Sequence, residues 1–178
     1  ALYVGQDVSI KIRNSSFINN TIENTMHGNG GGIYIDESSN ITLYDNIIIS
    51  NCHAGFNGGG IYVSKESYID IKEAILQDNH ANNNGGGLYL DYLASLSIQD
   101  VSIMRNSIWY GNGAGIFLSN NVVTIFKDKT NFVERLSFVG NRISSSSDGG
   151  NGGALYVGQD VSIKIRNSSF INNTIENT

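Results

Sequence analysis

Short runs of alternating apolar and polar residues recur along the chain, and glycine-rich turns separate them. Ile33-Tyr34-Ile35 follows three glycines, and the same arrangement, with one alanine in two copies, recurs at Ile61, Leu88, Ile116 and Leu155. Period-2 alternation is typical of strands with one buried face. Beyond a few residues, no stretch has the i, i+3, i+4, i+7 apolar spacing of an amphipathic helix. The pattern therefore predicts an all-β protein.

A second motif follows each glycine group. It consists of an apolar residue, two variable residues and then Asn. In four of the five complete units the Asn lies 21 residues after the first glycine. Three short strands in each unit cannot bury their apolar face alone, whereas stacked units can. We therefore predict a right-handed parallel β-helix, a solenoid with three short strands per rung and about six rungs of 27–39 residues.

Stacking places equivalent residues in columns along the helix axis. One inward apolar column is expected to contain Phe17, Ile48, Leu76, Ile103 and Phe138. Asn side chains stacked at strand spacing can hydrogen-bond to one another, which predicts a structural ladder. Its expected members are Asn20, Asn51, Asn79, Asn106, Asn141 and Asn173.

An aromatic column lies between two inward columns and should therefore point outward. Its members are Tyr3, Tyr34, Tyr62, Tyr89, Phe117 and Tyr156. The rings either stabilise the sheet by stacking or form a contact stripe for another filament, a glycan or a covering loop. The sequence leaves both interpretations open.

Residues 154–178 repeat residues 1–25 letter for letter, at an offset of 153 residues. We interpret 1–178 as a single continuous β-helix, 1–153 as one five-rung super-repeat, and 154–178 as the first rung of the next identical one. The expected partners are further copies of the same repeat, in the same chain or stacked end to end, and the chain is expected to be a window on a longer array.

Charge and composition narrow the function classes. The net charge is −5 without a run of Lys or Arg, which argues against nucleic acid as a partner. No apolar run approaches about 18 residues, so this segment is not expected to insert into a membrane. Cys52 is the single cysteine, which excludes a disulfide framework.

Candidate chemistry is sparse. His27, His53, His80 and Cys52 lie on variable turns, a weak pattern for a metal site. An acidic column of Asp45, Glu73 and Asp100 is expected to be solvated or paired with neighbours such as Lys72, with calcium bridging as the alternative. We therefore predict no catalytic residue, no metal and no cofactor. Asn14, Asn40 and Asn167 head sequons in expected turns and are candidate N-glycosylation sites.

The paired motifs resemble the repeats of the chlamydial polymorphic outer-membrane proteins. The best matches are Gly152-Gly153-Ala154-Leu155, Phe17-Ile-Asn-Asn20, Phe138-Val-Gly-Asn141 and Phe170-Ile-Asn-Asn173. The resemblance implies a right-handed parallel β-helix exposed on a surface, in secreted passenger domains that act as adhesins.

These patterns rank three classes of function. A polysaccharide-cleaving enzyme needs carboxylates that converge at one groove, and the acids here are spread one per rung. The exact period instead favours a structural protein that forms the shaft of an extracellular or cell-surface filament. A surface adhesin is the alternative, with neighbouring filaments or glycans as partners, and a polysaccharide-binding or polysaccharide-cleaving β-helix is a lesser one.

Overall fold

The computed structural model describes residues 1–23, 27–124, 133–144 and 150–176 of the 178-residue chain. Its strands form three sheets of six, ten and six strands. Each strand pairs in parallel with its equivalent in the neighbouring turn, as Tyr34 does with Tyr62 and His53 with His80. The chain thus winds through six stacked rungs, and the predicted all-β solenoid is confirmed. We number the rungs 1 to 6 in chain order.

The first sheet contains the alternating run that follows each glycine group. Its strands are β1 (Leu2–Val4), β5 (Ile33–Ile35), β9 (Ile61–Val63), β12 (Leu88–Leu90), β15 (Ile116–Leu118) and β19 (Leu155–Val157). The first and third residues of β5, β9 and β12 are fully buried, because alternation turns both toward the core.

The second sheet is the widest face. Its strands are β2 (Ser9–Arg13), β3 (Ser16–Ile18), β6 (Asn40–Tyr44), β7 (Ile47–Ser50), β10 (Tyr68–Gln77), β13 (Ser95–Met104), β16 (Val123–Thr124), β17 (Val133–Val139), β20 (Ile165–Arg166) and β21 (Ser169–Ile171). In rungs 3 and 4 the two runs that alternation separates form one continuous strand, β10 or β13. Both strands bend at a residue with positive φ, Glu73 and Asp100 respectively.

The third sheet follows the Asn motif and consists of two-residue strands. They are β4 (Thr21–Ile22), β8 (His53–Ala54), β11 (His80–Ala81), β14 (Ser107–Ile108), β18 (Arg142–Ile143) and β22 (Thr174–Ile175). Alternation over two residues is too short to be recognised in the sequence. Each rung therefore has three faces. The third face is this two-residue strand and not the third alternating run of the unit, such as Ala74-Ile75-Leu76, which we expected to form it and which lies in the second sheet.

One predicted column needs correction. Phe17 pairs with Ile49, and Ile49 pairs with Leu76, so Ile48 is not in the inward column. Rung 2 has one extra residue at the bend, where Asp45 and Asn46 both have positive φ. A bulge of this kind moves every later residue of the strand by one position. Ile49 is accordingly fully buried.

Candidate functional site

A ladder of Asn side chains runs along the axis between the second and third sheets. Each amide nitrogen donates to a carbonyl of the rung below, as Asn106 Nδ2 does to Leu76 O at 2.9 Å. It also donates to the amide oxygen of the rung above, as Asn106 Nδ2 does to Asn141 Oδ1 at 3.1 Å. That oxygen accepts the backbone N–H of Asn106 as well, at 3.0 Å. Because Asn79, Asn106 and Asn141 are fully buried, these bonds satisfy groups that water cannot reach.

The bulge in rung 2 corrects one predicted ladder member. Asn51 is exposed, with φ of 51°, and lies outside the ladder. Cys52 takes its place: the backbone N–H of Cys52 donates to Asn79 Oδ1 at 3.0 Å. The thiol is a poor substitute for an amide, since Asn20 Nδ2 lies 3.9 Å from Cys52 Sγ. The ladder is therefore interrupted between rungs 1 and 2.

A second Asn ladder, which we did not predict, runs beside the glycine turns. Its members are Asn29, Asn57, Asn84, Asn112 and Asn151. The backbone N–H of Asn84 donates to Asn57 Oδ1 at 3.1 Å, and that of Asn112 donates to Asn84 Oδ1 at 2.8 Å. Every member directly precedes the first glycine of its rung. This repeated Asn-Gly pair is the sequence signal that could have revealed the ladder.

The two ladders have opposite polarity. In the first ladder the amide oxygen accepts from the rung below, as Asn141 Oδ1 does from Asn106. In the second ladder it accepts from the rung above, as Asn57 Oδ1 does from Asn84. Each rung therefore offers unlike hydrogen-bonding groups to the rungs above and below it. Adjacent rungs can satisfy both ladders only if they keep the same orientation along the axis.

The aromatic column forms one continuous stack. Neighbouring ring centroids from Tyr3 to Tyr156 lie 4.9–5.4 Å apart, and their planes differ by 2–14°. The end ring Tyr3 is 64% exposed, whereas Tyr62 and Tyr89 are only 7% and 9% exposed. The middle of the column thus offers little surface to a partner. This burial favours the stacking interpretation over the contact stripe for Tyr62 and Tyr89.

The ring hydroxyls pair with the residue that follows the first-sheet strand in the next rung. Tyr3 donates to Asp36, and Tyr62 donates to Asp91 at 2.7 Å. Tyr34 and Tyr89 are hydrogen-bonded to Ser64 and Ser119. Burial, reinforced by the bond to Asp91, raises the pKa of Tyr62 far above its ordinary value. Tyr62 therefore stays a neutral donor at physiological pH.

The stack also shows where a hydroxyl is not needed. Phe117 has no hydroxyl, and the equivalent position in the rung above it is Gly158, which has no side chain. Side chains in neighbouring rungs are thus matched pair by pair along the axis. A rung can therefore stack on another only if its aromatic residue matches the residue that follows the first-sheet strand in the rung above.

The predicted acidic column lies at the bend of the second sheet. Asp45, Glu73 and Asp100 have positive φ, and Arg135 holds the same position in rung 5. Arg135 forms an ion pair with Asp100, and its hydrogen bond lowers the pKa of that carboxyl. Glu73 lies 3.8 Å from the Lys72 ammonium. Charge pairing therefore relieves the repulsion in this column.

Beside this column lies a groove of about 330 Å³ between the rungs. Ile48 and Ile75 line it together with the carboxylates of Glu73 and Asp100. Although the sequence spreads these acids over separate rungs, the fold brings two of them to one groove. A groove with apolar walls and two acids can contact an extended polar chain.

His53 and His80 lie in strands β8 and β11 and not on the expected turns, and they form a different cluster from the one considered in the sequence. The His53 and His80 rings are 5.0 Å apart, and His80 meets Trp109 edge to face at 5.2 Å. His80 Nδ1 lies 2.8 Å from Ser107 Oγ. Burial, aided by repulsion from His53, lowers the pKa of His80 to about 4. Among the described residues no three His, Cys, Asp or Glu side chains come together to hold a metal ion.

The candidate glycosylation sites are all exposed. Asn14 and Asn167 are equivalent residues at the bend, with φ of 46° and 49°. Asn40 is the first residue of β6 and so does not lie in the expected turn. Glycosylation at these three residues stays a prediction.

The three stacked sheets, the ladders and the aromatic column define a parallel β-helical solenoid. The chain matches the family described as right-handed β-helix region over residues 1–175, and it belongs to that family. This match confirms the predicted handedness, whereas the narrower resemblance to the chlamydial repeats stays a prediction. Searches of curated proteins and of solved structures found no match. Within the described ranges, no helix is long and apolar enough to cross a membrane.

Proposed function

We propose that the chain forms the shaft of an extracellular or cell-surface filament built from tandem 153-residue repeats. The observation that carries this proposal is the identity of residues 154–178 with residues 1–25. The second copy is the sixth rung of the same sheets, paired through β19 with β15 of rung 5. Five rungs at a spacing of about 4.8 Å advance the helix by about 24 Å per repeat.

The different burial of equivalent residues in the two identical segments supports this proposal. Val157 in rung 6 is 36% exposed, whereas its equivalent Val4, covered by rung 2, is 3% exposed. Phe170 and Ile175 are also exposed in rung 6, whereas their equivalents Phe17 and Ile22 are half-buried in rung 1. A further copy of rung 2 above rung 6 buries these side chains in the way that rung 2 buries rung 1. Burial of apolar surface then makes each added rung favourable.

Electron microscopy of the native assembly tests the shaft. We expect filaments with an axial repeat of about 24 Å or a small multiple of it. A recombinant protein with two 153-residue periods would have four rungs more than the 178-residue chain and should therefore be about 19 Å longer in small-angle scattering. Compact particles, or a two-period protein that folds as two separate bodies, would contradict the proposal.

Surface adhesion is the second candidate, and exposed aromatic side chains favour it. Trp109 and Tyr110 are 52% and 54% exposed at one turn of rung 4. Such a turn on a rigid scaffold is a common location for binding residues. Replacing both with Ser should abolish attachment to host surfaces and glycan arrays while filaments still form. Unchanged attachment would exclude this turn as the adhesive site.

The groove beside Glu73 and Asp100 is the place where a polysaccharide would bind. Its two acids, the exposed Ile75 and the half-buried Ile48 lie on rungs 2 to 4. The Glu73→Gln and Asp100→Asn variants should weaken binding to polysaccharide columns, and cleavage assays on the same polymers distinguish binding from hydrolysis. Equal retention of both variants and the unmodified chain would rule out this groove.

Extracellular localisation has a direct chemical test. If the chain is secreted through a glycosylating pathway, mass spectrometry of the native protein should find glycans on Asn14, Asn40 or Asn167. These side chains are exposed and accessible to the transferase. Cell-surface labelling of intact cells provides the independent measurement for a pathway that does not glycosylate.

A further inference from the structure

Two histidines of the third sheet lie side by side in neighbouring rungs. His53 and His80 begin strands β8 and β11 and pair with each other in parallel register. The residues that follow them, Ala54 and Ala81, are fully buried, so alternation directs both imidazoles to the outer side of the sheet. The ring centroids are 5.0 Å apart. One ion at metal–nitrogen distances of about 2.0 Å can therefore bind a nitrogen of each ring.

The contact of His80 with the next rung prepares one of its nitrogens for a ligand role. Its Nδ1 lies 2.8 Å from the hydroxyl of Ser107, the residue with which it pairs in rung 4. When Nδ1 carries the proton and donates it to Ser107 Oγ, Nε2 keeps a free electron pair. Metal-binding histidines are oriented in this way, by a hydrogen bond from the nitrogen that does not bind the metal.

Two buried atoms at this position have no hydrogen-bond partner within the described part of the chain. They are His80 Nε2 and the amide oxygen of Asn82. Asn82 follows Ala81, so alternation places its side chain on the same side as His80, and the two side chains are close enough to interact. Buried polar atoms are normally paired. Both atoms have an electron pair to share, so what they lack is a positively charged or proton-donating partner.

We propose that His53, His80 and Asn82 bind one divalent transition-metal ion, of the class of Zn²⁺ and Cu²⁺, across rungs 2 and 3. Imidazole nitrogens suit these ions, whereas Mg²⁺ and Ca²⁺ prefer oxygen ligands. No third His, Cys, Asp or Glu joins the pair among the described residues, so amide and water oxygens complete the coordination. We predicted no metal from the sequence, in which the histidines were expected on variable turns.

The ion links two adjacent rungs through side chains on their outer face. Strands β8 and β11 contain only two residues each, so few backbone bonds hold the rungs together in this sheet. A ligand from each rung adds a connection where the sheet is narrowest, and an ion that binds only the folded chain stabilises it. The site goes beyond the proposed shaft and does not depend on it, because all its residues lie within one 153-residue period.

Trp109 provides a reporter of this site. It is the only tryptophan of the chain, it is exposed, and it meets the His80 ring edge to face at 5.2 Å. Titration of the metal-free protein with CuCl2 should quench its fluorescence saturably at one ion per chain, because a paramagnetic ion then lies next to the indole. Excess ZnCl2, which does not quench, should displace the copper and restore the fluorescence. MgCl2 should do neither.

Substitutions distinguish a metal site from a purely structural cluster. His53→Gln and His80→Gln should each weaken Cu²⁺ binding by at least about tenfold, and Ser107→Ala, which removes only the orienting bond, by about tenfold. Asn82→Asp supplies a charged ligand and should strengthen Zn²⁺ binding by about tenfold, a gain that altered packing does not produce. His27→Gln is the matched control, since this exposed histidine does not join the pair, and should leave binding unchanged.

Urea unfolding of the metal-free variants establishes which of them fold. Equal saturable quenching in the unmodified chain and in folded His53→Gln and His80→Gln variants overturns the proposal, as does quenching that never saturates. If neither histidine variant folds, Asn82→Asp decides, because it leaves both rings in place. Unchanged or weaker Zn²⁺ binding by that variant then overturns the site.

Discussion

Replacement of Asn106 by Ala tests how much the first ladder contributes to stability. Asn106 is fully buried and makes two donor bonds, to Leu76 O and Asn141 Oδ1. Its own amide oxygen accepts the backbone N–H of Asn79 at 3.1 Å and the Asn79 side chain at 3.0 Å. Alanine removes all four bonds.

The expected loss follows from the groups left without a partner. The backbone N–H of Asn79 and the carbonyl of Leu76 each lose a bond, and an unsatisfied buried group costs about 1–3 kcal/mol. Asn106→Ala should therefore lower the free energy of unfolding by about 2–6 kcal/mol. This is a large part of the roughly 5–15 kcal/mol that stabilises an ordinary domain.

Asn51→Gly is the matched control because Asn51 has the same side chain but lies outside the ladder. It is exposed, and Gly adopts its positive φ without strain. We expect a change within about 0.5 kcal/mol. Urea unfolding measures both variants, and hydrogen exchange at the amide of Asn79 locates the effect. A loss below about 1 kcal/mol for Asn106→Ala, or equal losses for the two variants, would refute the ladder argument.

Four other substitutions test neighbouring features. Cys52→Asn completes the ladder between rungs 1 and 2 and should raise the free energy of unfolding by about 1 kcal/mol. Urea unfolding under reducing conditions measures the change, and a decrease would mean that the space fits only the thiol. Tyr62→Phe removes the donor to Asp91 Oδ2 and should lower the free energy of unfolding by about 1 kcal/mol. Phe117→Tyr, opposite Gly158, should give no gain. Because the pKa of His80 is lowered from 6.5 to about 4, the unfolded state binds its proton first, so stability should fall as pH decreases from about 6.5 to about 4. His80→Asn should flatten the pH dependence of the melting temperature over that range, and an unchanged slope would assign the dependence to other groups.

The regular part of the fold could be predicted because it depends on repeated local patterns. Glycine turns, alternating strands and the Asn motif recur in every rung, and each repetition supports the others. The position of the third sheet could not be predicted, because a strand of two residues, such as His53–Ala54, is too short to show apolar–polar alternation. Its strands form because the rung above and the rung below supply backbone partners.

The candidate site could be predicted less completely. A single extra residue at the bend of rung 2 moves Cys52 into the ladder and Asn51 out of it. Motif spacing hides this, since Asn51 lies at the same distance from its glycine as Asn79 does from its own. Likewise, alternation predicts that Tyr62 points away from the core. It does not show that neighbouring rings leave only 7% of that residue exposed.

The duplicated segment separates the influence of sequence from that of neighbours. Residues 9–13 form the five-residue strand β2 against β6, whereas their copies retain only the two-residue strand β20, Ile165–Arg166. By contrast, β1 and β19 have equal lengths, because both face a regular strand of the first sheet. Identical residues therefore form strands to the extent that an adjacent rung offers a backbone in register. A rung of this solenoid is not an independent folding unit, and the same dependence allows a second copy of rung 2 to accept residues 154–178 as its own first rung.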